Sequence, residues 1–308
     1  MSRVWRKMPE PAVLTRPQNI VFDLLESMRP QQWLKNLLLL APLLFAKSLG
    51  DSSRIAEAIF GFIIFCALSS GVYLLNDVLD LQKDRKHPVK STRPTASGRV
   101  GVRTAVVFLV VLPSTALVAG FVLSPPFGAV GLAYVLMNIG YSFWLKEMVI
   151  LDVMIIAFGF VLRALAGALA IQVEISPWLI LCTILLSLFL AFCKRRRELE
   201  LLADGATEHR PALREYSVGF LDQMISITTA STVVCYSFYT ISPEVEEKLG
   251  TRHLFVTIPF VLYGIFRYLY LVHQRGEGGN PASSLLTDRP LLICVALWAL
   301  VVAAILYF

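Results

Sequence analysis

Long apolar runs with almost no charged residues recur along this chain of 308 residues. A helix needs about 20 predominantly apolar residues to cross a bilayer, and repeated runs of this length are foreign to the core of a soluble protein. The composition agrees, because 56% of the residues are hydrophobic and only 16% are charged. The pattern predicts an all-α integral membrane protein with nine transmembrane helices, at about residues 34–50, 56–79, 103–123, 127–145, 148–172, 177–193, 221–241, 253–272 and 290–308.

Lysine and arginine are distributed unevenly among the segments that connect these runs. If the N-terminus is cytoplasmic, 22 of the 28 basic residues lie on the cytoplasmic side, 4 lie outside, and Arg163 and Arg267 lie within predicted helices. Cytoplasmic loops carry the excess of basic residues in membrane proteins. We therefore expect a multi-pass protein of the inner (plasma) membrane, with its N-terminus cytoplasmic and its C-terminus outside. The net charge of +6 has the same explanation, so we expect the lipid bilayer and no nucleic acid as a partner.

The first 30 residues differ from the apolar remainder of the chain. They begin with a polar, basic arm and end in a short amphipathic piece at residues 21–28. Such a segment lies along a membrane surface rather than across it. The sequence thus predicts an N-terminal basic arm and interfacial segment over 1–30, followed by one nine-helix transmembrane domain over 31–308.

Four polar residues close the second predicted helix. Asn76, Asp80 and Asp84 are spaced four apart. Asp77 precedes Asp80 by three residues, so all four share one helix face. Mg²⁺ is held in proteins by one or two carboxylates together with substrate phosphate oxygens. The motif predicts a magnesium site, and the alternative is a solvated acidic helix end. The predicted metal ligands are Asn76, Asp77, Asp80 and Asp84.

Basic residues follow this acidic motif directly, and a magnesium-bound polyphosphate needs both kinds of group. Arg163 lies eleven residues after Asp152, on the same helix face and deeper in the membrane. An ionisable residue there indicates a functional site by default; the alternative is an ion pair with Asp152 or a bond to a helix carbonyl. For the other cations the alternative is topology or contact with anionic lipid. The candidate site residues beyond the acidic motif are Gln32, Lys35, Asn36, Lys83, Arg85, Lys90, Arg93, Tyr141, Lys146, Asp152, Arg163, Lys194, Arg195 and Glu198.

The acidic motif resembles the first aspartate-rich motif of the UbiA-type intramembrane prenyltransferases. Tyr141, Lys146 and Asp152 fit the pattern of that family around its fourth and fifth helices. Most members carry a second aspartate-rich motif after the sixth helix, whereas this chain has the basic run 194–197 there. The resemblance implies the UbiA-type fold with an active site on the cytoplasmic face.

The basic run fits one branch of that family, the bacterial decaprenyl-phosphate phosphoribosyltransferases. The resemblance also rests on Arg29-Pro30-x-Gln32-Trp33-x-Lys35-Asn36 and on His87-Pro88-x-Lys90 with Arg93-Pro94. It implies an enzyme that transfers 5-phosphoribose from 5-phospho-α-D-ribose 1-diphosphate (phosphoribosyl diphosphate) to decaprenyl or another polyprenyl phosphate and releases diphosphate. Mg²⁺ is the implied cofactor, and the implied pathway supplies lipid-linked arabinose for cell-wall arabinan, as in arabinogalactan.

Carried onto this sequence, the resemblance implies roles for single residues. The basic run at 194–197 would serve the donor's phosphates, with Lys194 and Arg195 in direct contact. The alternative function is a polyprenyltransferase that moves a prenyl group from a prenyl diphosphate to an aromatic or other acceptor. A transporter is disfavoured because the sequence lacks repeated halves. The sequence leaves open whether the chain forms a homo-oligomer. The implied catalytic residues are Asp77, Asp80, Asp84, Lys146 and Asp152, and the other candidates bind substrate.

Overall fold

The computed structural model describes residues 19–86, 90–203 and 211–308. The basic arm expected before residue 19 and the His87-Pro88 motif lie outside the described residues. Within those ranges the chain is helical and contains no strand. The α-helices are α1 (Ile20–Ser27), α2 (Ala41–Phe45), α3 (Ser52–Leu79), α4 (Leu81–Lys86), α5 (Val102–Leu123), α6 (Pro125–Phe143), α7 (Leu151–Ala170), α8 (Pro177–Ala203), α9 (Val218–Ile241), α10 (Pro243–Leu249), α11 (Ile258–Gln274), α12 (Pro281–Thr287) and α13 (Arg289–Tyr307). Short 3₁₀ helices cover Pro30–Leu40, Lys90–Thr92, Leu145–Glu147, Pro211–Glu215 and His253–Thr257.

Eight helices in the described part of the chain are long and apolar enough to cross a membrane. They correspond to the second to ninth predicted runs, so a multi-pass membrane protein is confirmed. The spans are Ser52–Leu79, Val102–Leu123, Pro125–Phe143, Leu151–Ala170, Pro177–Leu201, Val218–Ile241, His253–Gln274 and Arg289–Tyr307.

The first predicted run, 34–50, does not form one long α-helix. The structure has an 11-residue 3₁₀ helix, Pro30–Leu40, followed by the five-residue α2. Pro42 explains the interruption, because proline lacks an N–H and its ring clashes with the carbonyl four residues earlier. The count of nine crossings therefore stays a prediction. The contacts nevertheless place the two ends of this segment far apart: Arg29 reaches Asp77 at one end of α3, while Leu49 bonds to Tyr307 at the end of α13.

Three apolar clusters form the core of the described chain, and the smallest joins α10 to the end of α13. The other two are larger. One joins the 3₁₀ helix Pro30–Leu40 to α3, α6 and α7, and the other joins α8, α9, α11 and α13. The most enclosed spans are α3 and α7, each 61% buried over its apolar window, against 11% for α5. Gly167 of α7 allows the closest approach in the first cluster, because a Cβ atom there would stand 2.0 Å from the carbonyl oxygen of Leu39. The site described below lies on these central helices.

Side-chain caps begin several helices. Asp51 accepts hydrogen bonds from the backbone N–H groups of Ser53 and Arg54, and Asp288 caps α13 in the same way. Asp288 also pairs with Arg267 of α11 at 2.8 Å, and this hydrogen bond lowers the pKa of the Asp288 carboxyl. Arg267, which the sequence placed inside a span, thereby joins α11 to the start of α13.

Candidate active site

Asp77 and Asp84 converge on one cation at the end of α3. Nη1 of Arg93 lies 3.2 Å from Oδ1 of Asp77 and 2.5 Å from Oδ2 of Asp84. Both aspartates are buried, with 2% and 3% of their surface exposed. Removing such carboxylates from water is costly unless a cation compensates them, and the loop after α4 supplies that cation.

Arg29 is a site residue that the sequence analysis did not single out. Its side chain forms an ion pair with Asp77 and lies over the Tyr73 ring, 5.0 Å from the ring centre. The backbone at Arg29 is left-handed, with φ 54°, and Ser70 donates a hydrogen bond to the carbonyl of Met28 just before it. In the sequence, Arg29 could have been recognised as a site residue because it is the first residue of the motif that ends in Asn36.

The other two predicted metal ligands have different partners. Lys146 lies 3.3 Å from Oδ1 of Asp80, and Ser142 donates a 2.8 Å hydrogen bond to Oδ1 of Asn76. The described residues contain no group of three acidic, histidine or cysteine side chains poised around one point. The predicted four-residue ligand set is thus not gathered here.

Asp77 and Asp84 nevertheless fit a magnesium ion. Their oxygens approach a single point, now taken by Nη1 of Arg93. Two carboxylates completed by phosphate oxygens are a usual magnesium environment. The ligand set is made of oxygen atoms only, as this hard cation prefers.

Arg195 forms the centre of a second buried network, between α7 and α8. Its Nε donates to Oδ2 of Asp152 at 2.5 Å, Nη1 to Glu198 at 2.6 Å, and Nη2 to the hydroxyl of Tyr141 at 3.2 Å. No part of the Arg195 side chain is exposed. This geometry does not support the predicted direct contact of Arg195 with a donor phosphate, because the side chain is fully buried and its charge is already balanced by Asp152 and Glu198.

Tyr216 completes this network and was also missed as a site residue. Its hydroxyl donates a 2.8 Å hydrogen bond to Oδ1 of Asp152 and accepts one of 2.7 Å from the N–H of Ile150. Burial raises the pKa of the Tyr216 hydroxyl, so it stays protonated and can donate at neutral pH. Ile150 has φ 69°, so the hydrogen bond holds an unfavourable backbone turn at the start of α7.

The basic run at the end of α8 is largely neutralised from within the protein. Lys194 lies 3.8 Å from Glu198, and Arg196 donates to Asp222 of α9 at 2.6 Å. Arg197 pairs with Glu200 at 3.3 Å. The run therefore offers less free positive charge than its sequence suggested.

Arg163 is buried on α7 and does not pair with Asp152. It donates to Oδ1 of Asn36 at 2.7 Å and to the hydroxyl of Tyr134 at 2.8 Å. A third bond, of 2.8 Å, goes to the carbonyl of Gly159. The structure thus contains the bond to a helix carbonyl but not the ion pair with Asp152, because Arg195 occupies that carboxylate.

The remaining predicted residues differ in exposure and in their partners. Arg85 donates to the carbonyl of Ala96 at 3.3 Å, which holds α4 against the following loop. Lys83 is exposed, and Lys90 and Gln32 are half-buried. Among the described residues, the ion pairs of Asp77 and Asp84 are with Arg29 and Arg93 and not with Lys83.

An apolar cavity of about 900 Å³ lies between segment 30–47, α8, α9, α11 and α13. Lys35 lines the end near the site, whereas Lys47 and Lys248 line the opposite end, together with Glu174 and Glu244. Most of the wall between the two ends is hydrophobic. Such a cavity suits a long hydrocarbon chain.

Comparison with known proteins agrees with this architecture. A sequence profile described as the UbiA prenyltransferase family matches residues 37–287. The decaprenyl-phosphate phosphoribosyltransferase of Mycolicibacterium smegmatis is 33% identical over 303 residues, which cover 95% of each chain. That of Mycobacterium tuberculosis is 32% identical over 307 residues, covering 98% of this chain and 100% of the relative. The structure of a UbiA homolog from Archaeoglobus fulgidus bound to GPP and Mg²⁺ has a TM-score of 0.70 at 20% identity and covers 93% of this chain and 100% of that one, which shows a common fold.

Proposed function

Because this chain belongs to the UbiA prenyltransferase family, we propose that it transfers 5-phosphoribose from phosphoribosyl diphosphate to decaprenyl phosphate or another polyprenyl phosphate. Curated relatives with that activity in their names match it over nearly its full length. The observation that carries the proposal is that the chain combines the buried Asp77–Arg93–Asp84 cluster with an apolar cavity of about 900 Å³ that Lys35 lines. The cluster suits a charged donor, and the cavity suits the tail of a lipid acceptor.

The donor end of the site would be formed by Asp77, Asp84, Arg29 and Arg93. Magnesium held by Asp77 and Asp84 would neutralise charge that builds up on the departing diphosphate. Once their carboxylate partners bind the metal, Arg29 and Arg93 are free to donate to phosphate oxygens. Guanidinium groups suit this task because they bind phosphate through paired N–H groups.

The reaction needs no general base, because the phosphate of the acceptor is already an anionic nucleophile. One of its oxygens forms a bond to C1 of the ribose, and the bond from C1 to the diphosphate breaks with its electron pair leaving on the diphosphate. We propose an oxocarbenium-like transition state and inversion at C1, from an α-diphosphate to a β-phosphodiester. The chain contributes position and electrostatic stabilisation, which can account for large rate effects.

Asp152 and Arg195 would act as positioning residues. Both are buried and satisfy one another, so they hold Tyr141 and Glu198 at the edge of the site. Lys146, which pairs with Asp80, remains a candidate for direct contact with the donor. Lys194 has more exposure than Arg195 and stays a proposed phosphate ligand.

The uneven distribution of basic residues supports a cytoplasmic location for the donor site. We propose the plasma membrane as the compartment, with the N-terminus in the cytoplasm and the C-terminus outside. The product would be a lipid-linked phosphoribose that serves cell-wall arabinan synthesis.

A reconstitution experiment tests the function. The purified protein in nanodiscs is incubated with labelled phosphoribosyl diphosphate, Mg²⁺ and decaprenyl phosphate, and the lipid product is identified by mass spectrometry. We expect a decaprenyl phosphodiester of 5-phosphoribose, formed by wild type and by the control Glu57→Gln on α3. Prenyl transfer from a prenyl diphosphate to an aromatic acceptor, without phosphoribosyl transfer, would contradict the proposal and favour the alternative enzyme.

A further inference from the structure

Arg163 is a buried cation without a buried anion. Only 6% of its surface is exposed, and its three hydrogen-bond partners, on Asn36, Gly159 and Tyr134, are all neutral. The aromatic rings of Tyr134 and Phe160 lie 4.8 and 5.2 Å from its guanidinium carbon. A charge in a membrane helix is costly, and those that persist usually pair with another charge or a backbone carbonyl, or serve a ligand pathway.

The buried carboxylates of the two networks described above are already engaged. Asp152 binds Arg195 and Tyr216, and Asp77 binds Arg29 and Arg93. Among the residues that the structure describes, no carboxylate contacts Arg163. The positive charge of Arg163 is thus available to an anionic ligand.

The guanidinium of Arg163 also keeps unused donors. A guanidinium has one N–H on Nε and a pair on each Nη. Nε donates to Asn36, and Nη1 and Nη2 each donate once, to Gly159 and Tyr134. One N–H on each Nη therefore has no acceptor in the described chain, and the two together match two oxygens of a phosphate.

Lys35 supplies a second cation at the same place. It precedes Asn36, the residue that accepts from Arg163, and it is half-buried and lines the apolar cavity. No ion pair or hydrogen bond of its ammonium group occurs within the described ranges. Phe160, whose ring lies against Arg163, lines the same cavity. Lys35 therefore lines the hydrophobic chamber directly, and Arg163 lies behind Phe160 in its wall.

We propose that Arg163 and Lys35 bind the phosphate of the lipid acceptor, while Arg29 and Arg93 serve the donor. This inference rests on the proposed function and divides its cations between the two substrates. A ligand with a compact anionic head and a long apolar tail satisfies both the unpaired charges and the cavity. Asn36 orients Arg163 and links it to Lys35, so that an oxygen of the bound phosphate can face the ribose.

Binding measurements with each substrate alone test the division. Detergent-solubilised wild type, Lys35→Gln and Arg163→Lys are titrated with decaprenyl phosphate in the absence of donor, and separately with phosphoribosyl diphosphate and Mg²⁺. Losing a hydrogen bond to a charged group weakens binding by about tenfold or more. We expect Lys35→Gln to weaken decaprenyl phosphate binding by about that factor and to leave donor binding unchanged. Lys86→Gln, which removes an exposed cation, should change neither.

Two further ligands test whether the site recognises the phosphate of the lipid, the lipid tail alone or free phosphate. Decaprenol, which lacks the phosphate, should bind wild type and Lys35→Gln equally, and inorganic phosphate should bind too weakly to compete with decaprenyl phosphate. Equal affinity of wild type for decaprenol and decaprenyl phosphate would overturn the proposal.

Steady-state kinetics separate this proposal from the proposed function. Lys35→Gln should raise the KM for decaprenyl phosphate by about tenfold and leave the KM for phosphoribosyl diphosphate unchanged. If instead only the KM for phosphoribosyl diphosphate rises, the proposed site for the acceptor phosphate is overturned, while the proposed phosphoribosyl transfer stands. If wild type makes no product but still binds decaprenyl phosphate more tightly than Lys35→Gln does, the proposed acceptor-phosphate site stands and the transfer reaction is refuted. Lys35→Gln carries the test even if Arg163→Lys fails to fold, because Lys35 has no protein partner to lose.

Discussion

Nε of Arg195 lies 2.5 Å from Oδ2 of Asp152, and neither side chain is more than 1% exposed. Arg195→Ala should therefore destabilise the protein by about 3–5 kcal/mol, because it leaves the Asp152 carboxylate buried and unpaired. The double variant Arg195→Ala with Asp152→Ala should recover part of that loss. Thermal unfolding in detergent measures both.

Kinetics of the double variant decide between a positioning and a binding role for Arg195. If Arg195 positions Tyr141 and Glu198, the folded double variant should have a lower kcat and an unchanged KM for phosphoribosyl diphosphate. A stable Arg195→Ala protein with a raised donor KM would instead restore the prediction that Arg195 contacts the donor.

The carboxylates of Asp77 and Asp84 lead to a metal prediction. Asp77→Asn and Asp84→Asn should each lower turnover by about 10²–10³-fold or more, because each removes half of the proposed magnesium ligands. EDTA should abolish activity and added Mg²⁺ should restore it. The matched change Glu57→Gln, near the opposite end of α3, should have no such effect. Full activity in EDTA would disprove the metal assignment.

Arg93 should compete with magnesium for these same carboxylates. It occupies the point at which Asp77 and Asp84 converge, so the metal must displace it. Arg93→Gln should lower the Mg²⁺ concentration that gives half-maximal activity, while kcat also falls because a cation for the diphosphate is lost. A magnesium titration of activity measures both quantities. An unchanged or higher magnesium requirement would show that Arg93 does not hold the site before the metal binds.

Helix α1, which the sequence predicts to lie at the membrane interface, is turned so that its apolar side faces outward. Val21 and Phe22 are 62% and 57% exposed, whereas Asp23 is buried and pairs with Arg99 at 2.5 Å. Arg99 also donates to Glu26, and this hydrogen bond raises the pKa of Arg99. A nitroxide on Val21→Cys should report a lipid environment in nanodiscs. Adding Arg99→Gln should release α1 and make the label more mobile, whereas Arg103→Gln should not.

Labelling of new cysteines tests the orientation. Ser97 and Glu247 are exposed and lie at opposite ends of the bundle, while none of the five native cysteines is exposed. Ser97→Cys should react only with a reagent on the cytoplasmic side, and Glu247→Cys only with one outside. The reverse pattern would move the proposed active site to the other membrane face. An added cysteine at Asn19 that reacts from the same side as Ser97→Cys would establish that segment 30–45 crosses the membrane.

The amino-acid sequence by itself determined the eight long helices, the membrane environment and the family. These properties depend on hydropathy over about 20 consecutive residues and on motifs of local spacing, so they require no knowledge of packing. The helical spacing also correctly placed Asp77 and Asp84 together. Hydropathy was wrong only in predicting one continuous helix over 34–50, because Pro42 interrupts that apolar run.

Only the tertiary structure decided which charges neutralise each other. Asp80 and Asn76 share a helix face with Asp77, yet Lys146 and Ser142, both 66 residues away, are their partners. Asp152 binds Arg195 rather than Arg163, although Arg163 lies on the same helix. A run such as 194–197 shows its charge in the sequence but not the acids on neighbouring helices that satisfy it. Pairing depends on how the helices pack and on where long side chains end, and residues distant in the sequence set both.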